Sequence, residues 1–348
     1  MGRGGAPQGR PVAAALITFA AIVIPVALLT YAGVSTSSSR GGGSELTAPP
    51  VLTPPTAPNQ DAPTGPSRGI PLGPPKLPEE LYGEVFTGTK LTVTPDSIVA
   101  DLNDARSKSM RVFVIMVGAQ RHYKNVDGRF NLDLWKSLID EYRGIDLEDF
   151  VQDGTIVAHQ LVSEAKARSQ WNGTVISNNV LDEMARYSKE IWPTMPTVLR
   201  TDPSDLEEHA AAYGTPWPGW KWSHLDAASA RYLTRKGRVE DFAANEQVSA
   251  RRQDLALVVG LNVLSGGDGS SGISSPRSGR WAMSADELRR YGSTLLLETT
   301  ACAFEMWRYE TPGSAFEDFE YFRRPEINAA VVELAAIASR RPSLPCRP

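Results

Sequence analysis

From about residue 81 onward, nearly continuous apolar runs alternate with amphipathic stretches. Strands are expected at 81–88 (LYGEVFTG), 111–118 (RVFVIMVG), 155–162, 196–202 (PTVLRTD), 221–227 (KWSHLDA), 254–262 (DLALVVGLN) and 301–309 (ACAFEMWRY). Each has the composition of a strand buried on both faces. Between them the pattern switches to a helical period at 94–108, 131–142, 180–192, 204–213, 239–252 and 284–297, and a last helix over 326–339 closes the chain. The first helix illustrates the signal. Thr94 is placed to cap it, Pro95 takes the first helical position, and Ile98, Leu102 and Ala105 share one face. Repeated strand-then-helix units predict a parallel sheet covered on both sides. Seven strands between 81 and 340 approach the eight of a (β/α)8 TIM barrel, a fold of ~250 residues. A doubly wound open sheet is the rival. Neither GxGxxG after the first strand nor GxxxxGK[ST] anywhere supports it.

The N-terminal part breaks this pattern. Residues 12–34 carry no charge and are long enough to cross a bilayer. Arg3 and Arg10 precede them, and the next basic residue is Arg40. This bias puts residues 1–11 in the cytoplasm and the rest of the chain outside it. A cleaved signal peptide with its site near Thr30–Ala32 is the alternative, disfavoured because signal apolar cores are shorter. Residues 35–80, rich first in serine and glycine and then in proline, predict a disordered, semi-extended spacer. The barrel is expected over 81–340, with 341–348 as a tail.

Composition then narrows the function. A net charge of −4 advertises no basic field for nucleic acid. The four histidines form neither HxH nor HExxH, and the two cysteines cannot build a thiolate zinc site, so no metal or other cofactor is expected. Cys302 falls on the helix-facing side of its strand. It reads as a small buried hydrophobe rather than as a tether for Cys346.

Side-chain parity sorts each strand into two faces. In 254–262 the large apolar set is Leu255, Leu257, Val259 and Leu261, which leaves Ala256, Val258, Gly260 and Asn262 to point inward. In 301–309 the inward set is Ala303, Glu305 and Trp307. Likewise Val198, Arg200 and Asp202 share a face, as do Trp222, His224 and Asp226. Charged residues inside a barrel are costly unless paired or solvated by a cleft, and barrel active sites gather at the C-terminal strand ends. Glu164 ends the strand at 155–162, and Trp171 lies seven residues further on. Each residue has a structural alternative. Arg200 with Asp226 or Glu305 could be an ion pair, His159 a core residue, Asp202 a helix cap, and Glu164 a first-turn residue. The Gly/Ser-rich segment 264–280 reads as a lid or as a tolerated insertion. The tryptophans of 214–222 fall on the opposite rim and read as packing or as an interface.

A glutamate after one strand (Glu164), another on the last strand (Glu305) and a last-strand tryptophan (Trp307) resemble the TIM-barrel glycoside hydrolase superfamily. In that superfamily's best-known clan the acid/base lies in Asn-Glu-Pro, and the matching positions here are Ser163, Glu164 and Ala165. The resemblance implies catalysis by Glu164 as acid and Glu305 as partner, with Asp226 as substitute. Arg200, Asp202, Asn262, His224, Trp171 and Trp307 would then hold substrate. The expected partners are a carbohydrate or cell-envelope glycan and, through the N-terminal helix, the membrane. A non-catalytic glycan- or envelope-binding barrel is the second reading. A metal-dependent hydrolase using His159, His224 and Asp226 is the third.

Overall fold

The structure, a computed structural model, describes residues 69–348 other than 84, 213–220, 276–278 and 308–317. The expected anchor at 12–34 lies outside the described residues, as do spacer residues 35–68 and most of the tryptophan-rich 214–222 stretch. No helix among the described residues is long and apolar enough to cross a membrane.

Eight parallel strands form one sheet: β1 (Leu72–Gly73), β2 (Gly88–Thr92), β3 (Arg111–Ile115), β4 (Ile156–Ser163), β5 (Thr197–Arg200), β6 (Ala227–Tyr232), β7 (Ala256–Leu261) and β8 (Ala303–Met306). Their order is β1-β8-β7-β6-β5-β4-β3-β2. The two ends meet through Thr87 N–H donating to Leu72 O (3.0 Å) and Lys76 N–H donating to Lys90 O (3.1 Å), which nearly closes the sheet into a barrel. This seam requires glycine. A Cβ on Gly73 would lie 2.0 Å from Gly88 O, and one on Gly88 would lie 2.7 Å from Pro71 Cβ. The expected (β/α)8 architecture is therefore correct, with two strands displaced and one unforeseen.

β1 lies inside the stretch assigned to the spacer, because two residues between prolines carry no periodic signal. Even so, Ile70, Leu72 and Leu77 are buried. The strand expected at 81–88 begins instead at Gly88, and Glu79–Leu81 form a 3-10 turn. The strand expected at 221–227 runs from Ala227 to Tyr232. Its repeated alanines look helical in isolation, and pairing with β7 over six positions decides otherwise.

The seven expected helices form, and two short ones, over 148–152 and 318–323, are unforeseen. They include α1 (Ile98–Ser107), α2 (Leu132–Asp140), α3 (Glu148–Gln152), α4 (Asn178–Ile191), α5 (Pro203–Ala212), α6 (Val239–Arg252), α7 (Ala285–Glu298), α8 (Asp318–Arg323) and α9 (Pro325–Ser339). Ser284 and Glu287 form a reciprocal capping box at the start of α7. Asn131 caps α2 and Ser177 caps α4. Thr94 does not cap α1 directly, because its backbone and hydroxyl bind the Ser97 hydroxyl in a turn that leads into the helix. Between strands and helices lies the main apolar layer, where Leu257, Val259, Leu261, Phe304 and Met306 meet residues such as Leu288 and Leu334.

Inside the barrel a second apolar cluster fills the lower half: Phe113, Ala158, Val198, Ala227, Val258 and Ala303. The C-terminal tail closes this end. Cys346 joins the cluster and forms a disulfide with Cys302 across a Cα separation of 5.3 Å. Cys302 is thus bonded and belongs to the interior cluster, correcting its reading as an unpaired residue of the helix-facing layer. The tail lies beside its strand, and 5.3 Å is within bridging range. Closing a loop over 44 residues of sequence should stabilise the fold by about 4 kcal/mol. Cys346→Ser should lower the unfolding free energy by about 2–5 kcal/mol in urea titration, and reductant should bring the native chain to the same midpoint. An unchanged midpoint would show that the tail is not a structural fastener.

Candidate functional site

Above the apolar floor the interior becomes polar, and the registers show how this is accommodated. Glu305 on β8 stands level with Gly73 on β1 and Gly260 on β7. Both flanking inward positions lack side chains, and a Cβ on Gly260 would fall 2.2 Å from Glu305 O. The space so left is used by charge. Lys90 Nζ lies 2.7 Å from Glu305 Oε1, and Ser229 Oγ donates to Oε2 at 3.3 Å. Lys90 also donates to Gln160 Oε1, whose amide donates to Ser163 Oγ at 3.0 Å. The Phe113 ring lies 5.7 Å from the ammonium. Glu305 is only 4% exposed. Burial lowers the Lys90 pKa to about 8; Glu305 opposes the shift, and the charges of Arg200 and Arg231 reinforce it. The cavity beside the pair is about 10 Å³, lined by Gly73, Gly88, Lys90, Phe113 and Glu305 among others. That is room for one water at most.

A second charged group sits at the rim. Glu164 follows β4 directly, with φ at 56°, a left-handed conformation that a non-glycine residue adopts only when its surroundings impose it. Here its N–H donates to Arg200 O (3.0 Å), and its carbonyl accepts from Trp171 Nε1 (3.0 Å). Its carboxylate Oε1 meets Arg200 Nη2 at 3.1 Å and Arg231 Nη2 at 3.5 Å. Trp307 lies against both guanidinium groups, 3.7 Å and 4.5 Å from ring centroid to Cζ. Burial presses the Arg200 pKa downward, and the neighbouring Arg231 charge adds to this. An arginine nevertheless stays charged at neutral pH. Among the described residues, the buried Nε and Nη1 atoms of both arginines have no hydrogen-bond acceptor.

Glu164, Glu305, Arg200 and Trp307, expected at one mouth, are thus brought together by the strand ends. The other expected residues are placed differently. Asp226 precedes β6 at the N-terminal end of the barrel. There it accepts from Lys189 Nζ (2.7 Å), Thr197 N (2.8 Å) and Thr197 Oγ1 (3.0 Å). It cannot substitute as a catalytic carboxylate at the opposite rim. His224 lies on the same far side, its backbone N–H donating to Asp182 at 2.9 Å. Both errors follow from the misplaced strand. Trp171 is on the expected rim but fully buried against Tyr123 and Phe130, so it supports the loop and offers no stacking face. Asn262 accepts from Ser265 N (3.2 Å) and closes its own turn. Asp202 accepts from Arg231 N (3.1 Å) and pairs with Lys236, tying the end of β5 to β6. His159 is a core residue bonded to Ser188 Oγ (2.8 Å) and set between Trp135 and Trp192, and burial lowers its pKa to about 3. No group of three His, Cys, Asp or Glu among the described residues could hold a metal ion. The described part of 264–280 is pinned, with Gly267 N–H donating to Trp281 O and Asp268 N–H to Glu287 Oε1.

The sequence reading missed Lys90, Arg231, Gln160 and Ser229. Once β6 is placed correctly, its alternation would have found two of them: Ala227, Ser229 and Arg231 form one face of that strand.

Neither a protein-family model nor a curated protein matches the sequence. Among solved structures, a proposed alpha-L-fucosidase from Bacteroides thetaiotaomicron aligns with a TM-score of 0.52 and 11% identity, over 79% of this chain and 98% of that one. A beta-glucanase from Saccharophagus degradans (TM-score 0.48, 9% identity, 79% and 88%) and a xylanase from Cellvibrio japonicus (0.47, 10%, 81% and 72%) also align. At these identities the likeness shows the fold alone, a (β/α)8 barrel.

The buried pair gives a direct test. Lys90→Met should destabilise the protein by about 3–5 kcal/mol, because it leaves Glu305 buried without its cation. Adding Glu305→Gln should restore most of that loss in urea titration. Between pH 8 and 10.5 the unfolded lysine keeps a proton that the folded one releases. This group therefore makes stability rise with pH across that interval. Lys90→Met should remove that part of the slope.

Proposed function

We propose that the barrel engages a cell-envelope glycan at its C-terminal mouth, outside the cytoplasm, held to the membrane by residues 12–34. Glu164 carries this reading. Of Glu164 and Glu305 it is the carboxylate with an open side, 32% of its side chain being exposed, and it shares Arg200 and Arg231 with the half-buried indole of Trp307. A carboxylate and an indole face together suit a sugar's hydroxyls and its apolar ring face. The Cys302–Cys346 disulfide supports export, since such bonds persist in oxidising compartments.

Binding without turnover fits the carboxylates best. Glu305 has Lys90 and Ser229 on its two oxygens, with space for one water beside it. A general acid or nucleophile must reach the glycosidic bond. Hydrolysis through Glu164 and Glu305 is the second reading. The imposed left-handed backbone of Glu164 at the end of β4 favours it, since such strain gathers at active sites.

Full-length protein in detergent should retain purified cell-wall glycan without releasing new reducing ends. Failure to retain any such glycan would overturn the proposal. Release of reducing ends that both Glu164→Gln and Glu305→Gln abolish would establish the hydrolytic reading instead. Protease added to intact cells should free a barrel fragment whose N-terminus falls within 35–68. A barrel that stays protected until the cells are lysed would place the domain inside.

A further inference from the structure

Among the described residues, the mouth brings together more positive than negative charge. Lys90, Arg200 and Arg231 converge from β2, β5 and β6 on two carboxylates, Glu164 and Glu305. Lys90 and Glu305 neutralise each other lower in the barrel, which leaves two guanidinium groups sharing a single oxygen of Glu164. Arg200 is 7% exposed, and its Nε and Nη1 have no acceptor. The same two atoms of Arg231, whose side chain is 18% exposed, also lack one. Buried donors of this kind are rarely left unfilled, and a guanidinium fork matches the two oxygens of a carboxylate or sulfate. Two such forks stacked on one indole, with one shared carboxylate oxygen among the described residues, are short of an anion.

We propose that Arg200 and Arg231 form a receptor for an oxyanion carried on the sugar, so that the mouth selects acidic saccharides over neutral ones. This rests on the glycan-binding reading and names its substrate class. Glu164 then acts as the resident counterion. It occupies the receptor in the empty protein, and its exposed side lets an incoming acid share or displace it. Trp307 covers the guanidinium faces and offers its outer surface to the ring that bears the acid.

The test is calorimetric titration of the full-length protein with a glucuronate-containing tetrasaccharide, its carboxyl-reduced neutral form, a sulfated derivative of that neutral form, and inorganic sulfate. The native protein should bind the glucuronate or the sulfated saccharide at least about tenfold more tightly than the neutral one, and whichever binds identifies the oxyanion. Arg231→Gln should reduce that preference to about threefold or less. Glu164→Gln should strengthen acidic binding several-fold by removing the competitor, a gain that loss of a merely structural residue would not produce. It also keeps the proposal testable should the Arg231 variant fold poorly. Equal affinity for acidic and neutral saccharides would overturn the receptor and leave glycan binding standing. Sulfate binding that Arg231→Gln abolishes, with no saccharide bound, would support the receptor and overturn the glycan reading. No binding of any probe would overturn both.

Discussion

The upper half of this barrel depends on one constraint: a lysine and a glutamate must be kept inside a closed sheet. An isolated charge there would be untenable, and even a pair needs its remaining hydrogen-bonding capacity met. Gln160 accepts from Lys90 and Ser229 donates to Oε2 of Glu305, while Oε1 has only its ion pair with Lys90, and the pair fits because the strands beside Glu305 present glycine at its level. Gly73 is also where the sheet closes, its backbone against Gly88. The residue that lets the barrel close and the residue that makes room for the charge are therefore the same. A side chain at position 73 would disturb the seam and the ion pair together.

The two ends of the barrel are built on opposite principles. The lower interior is filled by an apolar cluster, plugged by the tail and fastened by a covalent bond between Cys302 and Cys346, with the Asp226–Lys189 pair at its margin. The upper end is held by electrostatics, with cations stacked on an indole and carboxylates between them. This division leaves rigidity at the floor and exchangeable contacts at the mouth.

The outer architecture was legible in the sequence because it rests on periodicity. The seven longer helices and the strands at β3, β4, β5, β7 and β8 each carry a period strong enough to read alone. The parity of β7 and β8 correctly sent Leu257, Val259 and Phe304 outward and Glu305 inward. What failed depended on pairing. β1 is two residues long, and β6 is rich in alanine and small residues, so only their neighbours make them strands. Displacing β6 by several residues turned Asp226 and His224 from base residues into supposed mouth residues, and hid Arg231. The disulfide was illegible for a similar reason, because nothing local places a tail against the first residues of the last strand.

Parity alone could not have shown what the buried charges do to one another. Arg200 and Glu164 are legible separately as an inward cation and a strand-end acid. Their meaning depends on Arg231, which brings a second cation to the same oxygen and turns a balanced ion pair into an unbalanced site. The imbalance is tolerated because Trp307 screens both guanidinium faces from water while its ring density favours the charge. Trp307 also stands immediately after β8, two residues from Glu305, so the strand that carries the lower ion pair also carries the cover of the upper one. A shift of β8 along its neighbours would break both at once. The register set by Gly73 and Gly260 therefore bears directly on the chemistry of the mouth.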